Sequence, residues 1–336
     1  MELTSPTIIK QLLEKYGASP SKTMGQNFLI HQPTLNRIIE AADITIKDTV
    51  LEIGPGIGTL TQELAQKAKK VIAIEKDQAM VTILKETLHD FNNIEIVQGD
   101  VLKIFPPSLR TAPSGAAKQS SKTLVKIASS QKTPHNDELA LPTHYKLIAN
   151  IPYYITSPLI RMFLEIKNQP EYMVLMVQKE VAQRICAKPP RMSILAVSVQ
   201  FYATAEIISS VSRGCFWPAP KVDSAIIKIT PTPLLPLQNA PLASGASQQS
   251  SPSVIARQQQ KQSNNNTSTE FFFRVVKAGF SHPRKQLLNN FSQAFKKDRE
   301  ATSAWLAKNN IHPSQRAETL SIQNWIRLTN SLSQLP

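Results

Sequence analysis

The sequence predicts an α/β domain built on a parallel sheet, followed by a small helical domain. Three observations carry that expectation. Short runs of β-branched and aliphatic residues alternate with stretches of helical periodicity between Thr49 and Val177, the pattern of a parallel sheet covered on both faces. The first run opens through a glycine turn onto a helical pattern, as at the ligand-binding edge of open α/β sheets. From Phe271 onward the pattern is helical, with no further strand-like run.

In chain order, residues 1–48 read as a helical lead-in, 49–53 as the first strand and 59–67 as a helix. Residues 71–75 follow as a strand, 80–88 as a helix and 94–97 as a strand. After an interruption, 145–149 is a strand, 158–165 a helix and 172–177 a strand. Residues 222–229 (V-D-S-A-I-I-K-I) alternate like a late strand, expected antiparallel at a sheet edge. Two segments, about 108–143 and 234–269, are rich in Ser, Gln, Asn and Pro. Such composition buries too little apolar area to offset its ordering entropy, so both read as flexible insertions, the second a low-complexity linker. The expected division is a catalytic domain over 49–233 and a helical domain over 271–336.

Composition narrows the partners. The 336 residues carry 38 Lys and Arg against 24 Asp and Glu, a formal net charge of +14. That surplus favours a polyanionic partner, nucleic acid or an anionic membrane surface. Ten basic residues against three acidic ones fall within 271–336, so half the excess lies in the last fifth of the chain. Two cysteines, Cys186 and Cys215, exclude a disulfide scaffold and any cysteine-based zinc cluster, and no metal site is expected. No apolar run approaches the roughly 18 residues a membrane span needs, and the first residues lack the order of a signal peptide. A soluble, cytoplasmic protein is expected.

The motifs at the strand ends carry the chemistry. The first strand runs into Glu52-Ile53-Gly54-Pro55-Gly56-Ile57-Gly58-Thr59. Its third glycine comes one residue earlier than in a dinucleotide fingerprint, which suits a ligand without phosphates. Glu75, ending the second strand, can accept both hydroxyls of a ribose, and Asp100, after the third, can accept from an adenine amino group. Taken singly, each of these acids also reads as a plain turn former. The fourth strand ends in Asn150-Ile151-Pro152-Tyr153. An exocyclic amine on an aromatic ring is a poor nucleophile because its lone pair is delocalised. The Asn150 amide oxygen and the Ile151 carbonyl could accept its two N–H bonds and favour pyramidal geometry. Pro152, which has no N–H, would hold that carbonyl outward, and Tyr153 offers a stacking face.

With these pieces the chain resembles the small-subunit (16S) rRNA adenine N6,N6-dimethyltransferase family over nearly its whole length apart from the insertions. The matching motifs include Gly25-Gln26-Asn27-Phe28-Leu29, the glycine turn, Ile74-Glu75, Gly99-Asp100 and Asn150-Ile151-Pro152-Tyr153-Tyr154-Ile155. Val177-Gln178-Lys179-Glu180, Phe216-Trp217-Pro218-Ala219-Pro220-Lys221 and Phe280-Ser281-His282-Pro283-Arg284-Lys285-Gln286 follow in the family's order. The resemblance implies a Rossmann-like class I methyltransferase using S-adenosylmethionine, with a helical RNA-binding domain at the C-terminus.

It further implies that Asn27 and Leu29 close over the methionine moiety and that Gly54 lies against it. Glu75 would hold the ribose and Asp100 the adenine. Asn150 would touch both cofactor and target amine, and Phe216 would stack on the target base opposite Tyr153. The implied partner is 16S rRNA in an immature small subunit, where two adjacent adenosines near the 3′ end are each dimethylated, by an enzyme acting as a monomer. Arg284 and Lys285 are candidates for phosphate contacts. Two alternatives remain at this level: a large-subunit rRNA adenine dimethylase of the macrolide-resistance type, and a non-catalytic RNA-binding assembly factor on the same scaffold.

Overall fold

A computed structural model describes residues 1–21, 23–105, 141–233 and 269–332. The expected insertions at 108–143 and 234–269 fall almost wholly outside the described residues. The helices are α1 (Pro6–Lys15), α2 (Gln32–Ala42), α3 (Thr59–Ala65), α4 (Gln78–Thr87), α5 (Val101–Ile104), α6 (Thr156–Glu165), α7 (Lys179–Ile185) and α8 (Ile194–Gln200). After these come α9 (269–279), α10 (Leu287–Phe295), α11 (Arg299–Lys308) and α12 (Ile322–Ser331). The strands are β1 (Phe28–Leu29), β2 (Thr49–Ile53), β3 (Lys70–Glu75), β4 (Ile94–Gln98), β5 (Lys146–Asn150), β6 (Met173–Gln178), β7 (Ala203–Val211), β8 (Phe216–Trp217) and β9 (Ser224–Pro231).

Seven strands form one sheet in the order β4-β3-β2-β5-β6-β9-β7. The first five are parallel; β9 pairs antiparallel with both β6 and β7, so β9 alone is reversed and β7 runs in the direction of the first five. The central strands are buried along nearly their whole length because helices cover both faces. This is the mixed, mainly parallel sheet of the Rossmann-like class. The order reverses between β2 and β5, which opens the ligand crevice at the carboxyl ends of the strands.

One sequence expectation needs correction. The strand expected at the edge, β9, is an inner strand, with Ala225, Ile226, Ile227 and Ile229 all buried. The edge belongs to β7, which the pattern did not reveal. Its outward residues include Ile207 and Ile208, and a bulge between Ile207 and Ser209 breaks the period-two alternation.

Packing divides the chain into two units. The first comprises the described parts of 1–183 and 203–232 and contains the whole sheet. The second gathers 184–202 with the described residues from 233 onward, so a piece of the expected catalytic span packs with the helical part. The reason is aromatic. Phe201 stacks on Phe272 at 4.2 Å and meets Phe273 edge-on. Elsewhere in this unit Phe280 stacks on Trp325, and Phe291 meets Trp305 edge-on. Gly279 is required there, since a Cβ would come within 2.4 Å of the Trp325 ring.

Candidate active site

The pocket lies in the first unit, at the carboxyl ends of β2, β3 and β5. The nine residues that the sequence offered for catalysis and cofactor binding all line it: Asn27, Leu29, Gly54, Glu75, Asp100, Asn150, Pro152, Tyr153 and Phe216. Arg284 and Lys285, offered for phosphate contacts, are not among its lining residues.

The glycine turn forms its floor. Gly54 sits at φ 69°, in the left-handed region, and a Cβ there would meet the Pro152 ring at 3.4 Å. Gly56 and Gly58 also have positive φ, and α3 starts directly after them. The Gly56 N–H donates to Glu75 Oε2 (3.1 Å), and the Asp77 N–H donates to Glu75 Oε1 (2.8 Å). Glu75 is only 6% exposed. Burial pushes its carboxyl up, opposed by these backbone donors. Each oxygen retains acceptor capacity, as two ribose hydroxyls require.

Asp100 serves two purposes. Its Oδ1 caps α5 by accepting from the Leu102 N–H (3.1 Å), and its Oδ2 pairs with Lys76 Nζ (3.0 Å). Helix capping and pocket lining, alternatives at the level of sequence, thus coexist in one side chain. Asp77 likewise caps α4 through the Ala79 N–H.

On the opposite side stands the quartet after β5. Asn150 Nδ2 donates to the Asn27 carbonyl (3.3 Å), which turns its Oδ1 toward the remaining acceptor role. Asn27 Nδ2 donates to the Gly25 carbonyl (2.9 Å), so that side chain shapes its own loop. The Tyr153 hydroxyl and Ser224 Oγ share a hydrogen bond of 2.7 Å, fixing the phenol ring. Tyr154 stands at the rim with 54% of its surface exposed. Antiparallel pairing of β1 with β8 sets Leu29 opposite Phe216, joining two motifs far apart in sequence. Phe216 is 3% exposed and also belongs to the apolar core.

Sequence reasoning gave no role to Glu52. It is 1% exposed within β2, lines the pocket, and its Oε2 has no hydrogen-bond partner. Burial pushes its carboxyl up to about 8, with the Glu75 charge adding to the rise. The nearby Thr61 hydroxyl counters the rise in part without completing a hydrogen bond. The available signal was a lone Glu inside an otherwise apolar run. Among the described residues no group of three His, Cys, Asp or Glu side chains is placed to hold a metal ion. The residues present fit S-adenosylmethionine: a close-approach turn where no phosphate needs a cradle, a carboxylate for the ribose, and acidic and amide acceptors on either side.

Comparison with known proteins agrees with this geometry. The family model described as ribosomal RNA adenine dimethylase matches residues 18–241. The chain is 37% identical over 316 residues to the ribosomal RNA small subunit methyltransferase A of Dehalococcoides mccartyi, covering 94% of this chain and 89% of that one. It is 36% identical over 336 residues to the protein of the same name from Bacillus mycoides, covering 98% and 97%. Among solved structures, the 23S rRNA methyltransferase ErmE superposes with a TM-score of 0.61 at 26% identity, covering 92% of this chain and 100% of that one. A dimethyladenosine transferase from Plasmodium falciparum shares the fold at the same TM-score, with 24% identity and 92% and 98% coverage. On the family match and the length of these alignments, the chain belongs to the ribosomal RNA adenine dimethylases, S-adenosylmethionine-dependent enzymes of the Rossmann-like methyltransferase class.

Proposed function

We propose that the enzyme dimethylates N6 of two adjacent adenosines near the 3′ end of 16S rRNA. We further propose that it acts as a cytoplasmic monomer on an immature small subunit. The observation that carries the reading is the Asn150-Ile151-Pro152-Tyr153 quartet beside the glycine turn, with Asn150 anchored by its Nδ2 so that its Oδ1 is presented as an acceptor.

The cofactor supplies a methyl group already activated on a sulfonium, so the protein's task is placement. Asn27, Leu29 and Gly54 hold the methionine end, Glu75 the ribose and Asp100 the adenine. Asn150 Oδ1 and the Ile151 carbonyl accept the N–H bonds of the target amine and localise its lone pair on nitrogen. Tyr153 and Phe216 sandwich the extruded base. The proton released after each transfer leaves to solvent. For the second methyl only one N–H remains, so one of the two acceptors goes without it. Residues 269–332, with Arg284 and Lys285 exposed between α9 and α10, supply phosphate contacts that weaken as salt rises.

Identity of 36–37% to small-subunit enzymes over nearly the whole chain supports the small subunit as target. Mapping dimethyladenosine on both rRNAs, from cells with and without the protein, tests it. Loss confined to small-subunit rRNA is expected. Loss on large-subunit rRNA would move the assignment to the other ribosomal target, and unchanged maps on both would refute the enzymatic reading.

A further inference from the structure

Between the N-terminal loop and the ribose carboxylate runs an unbroken series of hydrogen bonds centred on Gln26, a residue of the Gly25-Gln26-Asn27-Phe28-Leu29 motif to which the resemblance gives no role. Gln26 Oε1 accepts from the Ser21 N–H (2.8 Å), and Gln26 Nε2 donates to Asp77 Oδ2 (2.9 Å) across 51 residues of sequence. The Asp77 N–H then donates to Glu75 Oε1, whose partner oxygen accepts from Gly56 in the floor of the pocket. Asp77 has no freedom to drift, because its Oδ1 caps α4. The loop held at its far end by Gln26 carries Asn27, whose carbonyl anchors Asn150. One glutamine therefore bridges the side of the pocket that closes on the methionine and the side that holds the ribose.

We propose that Gln26 and Asp77 form a latch that holds the loop over bound S-adenosylmethionine and sets how long the cofactor stays. Both are positioning residues: neither is assigned a contact with the cofactor, and they act through Asn27 and Glu75. The proposal rests on the reading of those two residues as cofactor contacts. The bond is charge-assisted and partly buried, the kind whose loss costs most. Its neutral member is a donor facing a carboxylate, so its polarity is fixed. Gln26→Glu sets two carboxylates against each other. Asp77→Asn either turns an amide donor toward the Gln26 donor or surrenders the cap of α4. In the double variant, Gln26→Glu with Asp77→Asn, the new carboxylate accepts from the new amide, while the Ser21 N–H and the α4 cap keep their acceptors.

The experiment measures the dissociation rate of S-adenosylmethionine by stopped-flow fluorescence, together with amide exchange of residues 23–29, in the full-length protein. Each single variant is expected to raise the dissociation rate about tenfold, the scale of one charge-assisted hydrogen bond, and to speed exchange in the loop. The double variant should return both to within about twofold of the parent. A Glu75→Ala variant runs alongside. If it weakens cofactor binding while the single variants match the parent, or if the double variant fails to recover, the latch is wrong and the site reading stands. If Glu75→Ala leaves binding unchanged, the site reading fails and the latch with it.

Discussion

The two ends of the parallel sheet treat their polar groups in opposite ways. At the amino ends of β5 and β6, three successive carbonyls at the end of α2 each receive a donor. Lys228 Nζ donates to Ala41 (3.0 Å), the Tyr172 hydroxyl to Ala42, and Lys146 Nζ to Asp43 (2.7 Å). These are carbonyls a helix leaves unpaired where it stops, and two of the three donors are cations, which the helix dipole favours there. Lys146, 7% exposed, also pairs with Asp48 at 2.8 Å. At the carboxyl ends, acids gather instead. Glu52, Glu75 and Asp100 line one pocket, and Glu52 keeps an oxygen without a partner. One end completes its hydrogen bonding from the chain itself and serves stability. The other holds acceptors in reserve at a cost in stability, which is where function is expected to sit.

The largest test of this contrast is at the closed end. Asp48→Ala leaves the Lys146 ammonium buried without its carboxylate and is expected to lower unfolding free energy by about 3 kcal/mol. Adding Lys146→Met should recover part of that loss, because it removes the stranded charge; denaturant titration reads both. If Asp48→Ala costs nothing, the closed end is not a stability device.

At the open end, Asn150→Ala is expected to reduce methyl transfer to rRNA about a hundredfold, the scale of one lost transition-state hydrogen bond. Stability should hold and cofactor binding should weaken without vanishing. Parent-like turnover would remove Asn150 from the site.

Stability against pH separates the ends by sign. Asp48 is held below its usual value: burial works against it, but hydrogen bonds from Lys146 and Thr45 prevail. Its contribution is present above pH 3.8 and lost as pH falls through the depressed value. Lys146 is raised, with burial again opposing and the Asp48 and Tyr172 interactions prevailing, so its contribution fades only above pH 10.5. The closed end is therefore flat between these limits. Glu52 goes the other way. With its carboxyl raised from 4.5 to about 8, the folded protein keeps a proton that the unfolded chain has lost, and stability falls as pH rises across that window. Between pH 6 and 7 the change is at most about tenfold in the unfolding constant for that one group. Glu52→Gln should flatten the slope, leaving a remainder from Glu75. An unchanged slope would show that Glu52 titrates normally.

The smallest effect is expected at Lys76, about half exposed, where the pair with Asp100 is solvent-screened. Lys76→Ala should change cofactor affinity less than about fivefold by calorimetry, in keeping with exposed ion pairs. A larger loss would make Lys76 part of the binding site itself.

Much of this was legible in the chain. The parallel strands showed because burial on both faces demands continuous apolar runs, and the nine pocket-lining residues because each ends a strand or belongs to a motif of fixed spacing. β7 escaped notice because its bulge breaks the alternation and its outer face carries isoleucines where an exposed edge usually carries charge. The membership of 184–202 in the second unit was hidden as well, since Phe201 declares itself apolar but not which aromatic partner it will find.

The sequence alone thus determined the class of fold, the glycine turn and the identities of the acids and of the quartet, because these follow from local periodicity and residue chemistry. Tertiary structure decided what those residues share. Pairing of β1 with β8 brought Leu29 against Phe216, and the bond from Gln26 to Asp77 joined the N-terminal loop to the end of β3. Burial of Glu52 raised its carboxyl from the ordinary range to about 8. Each of these depends on distances between segments remote in the chain and on exclusion of water, quantities that no stretch of sequence carries by itself.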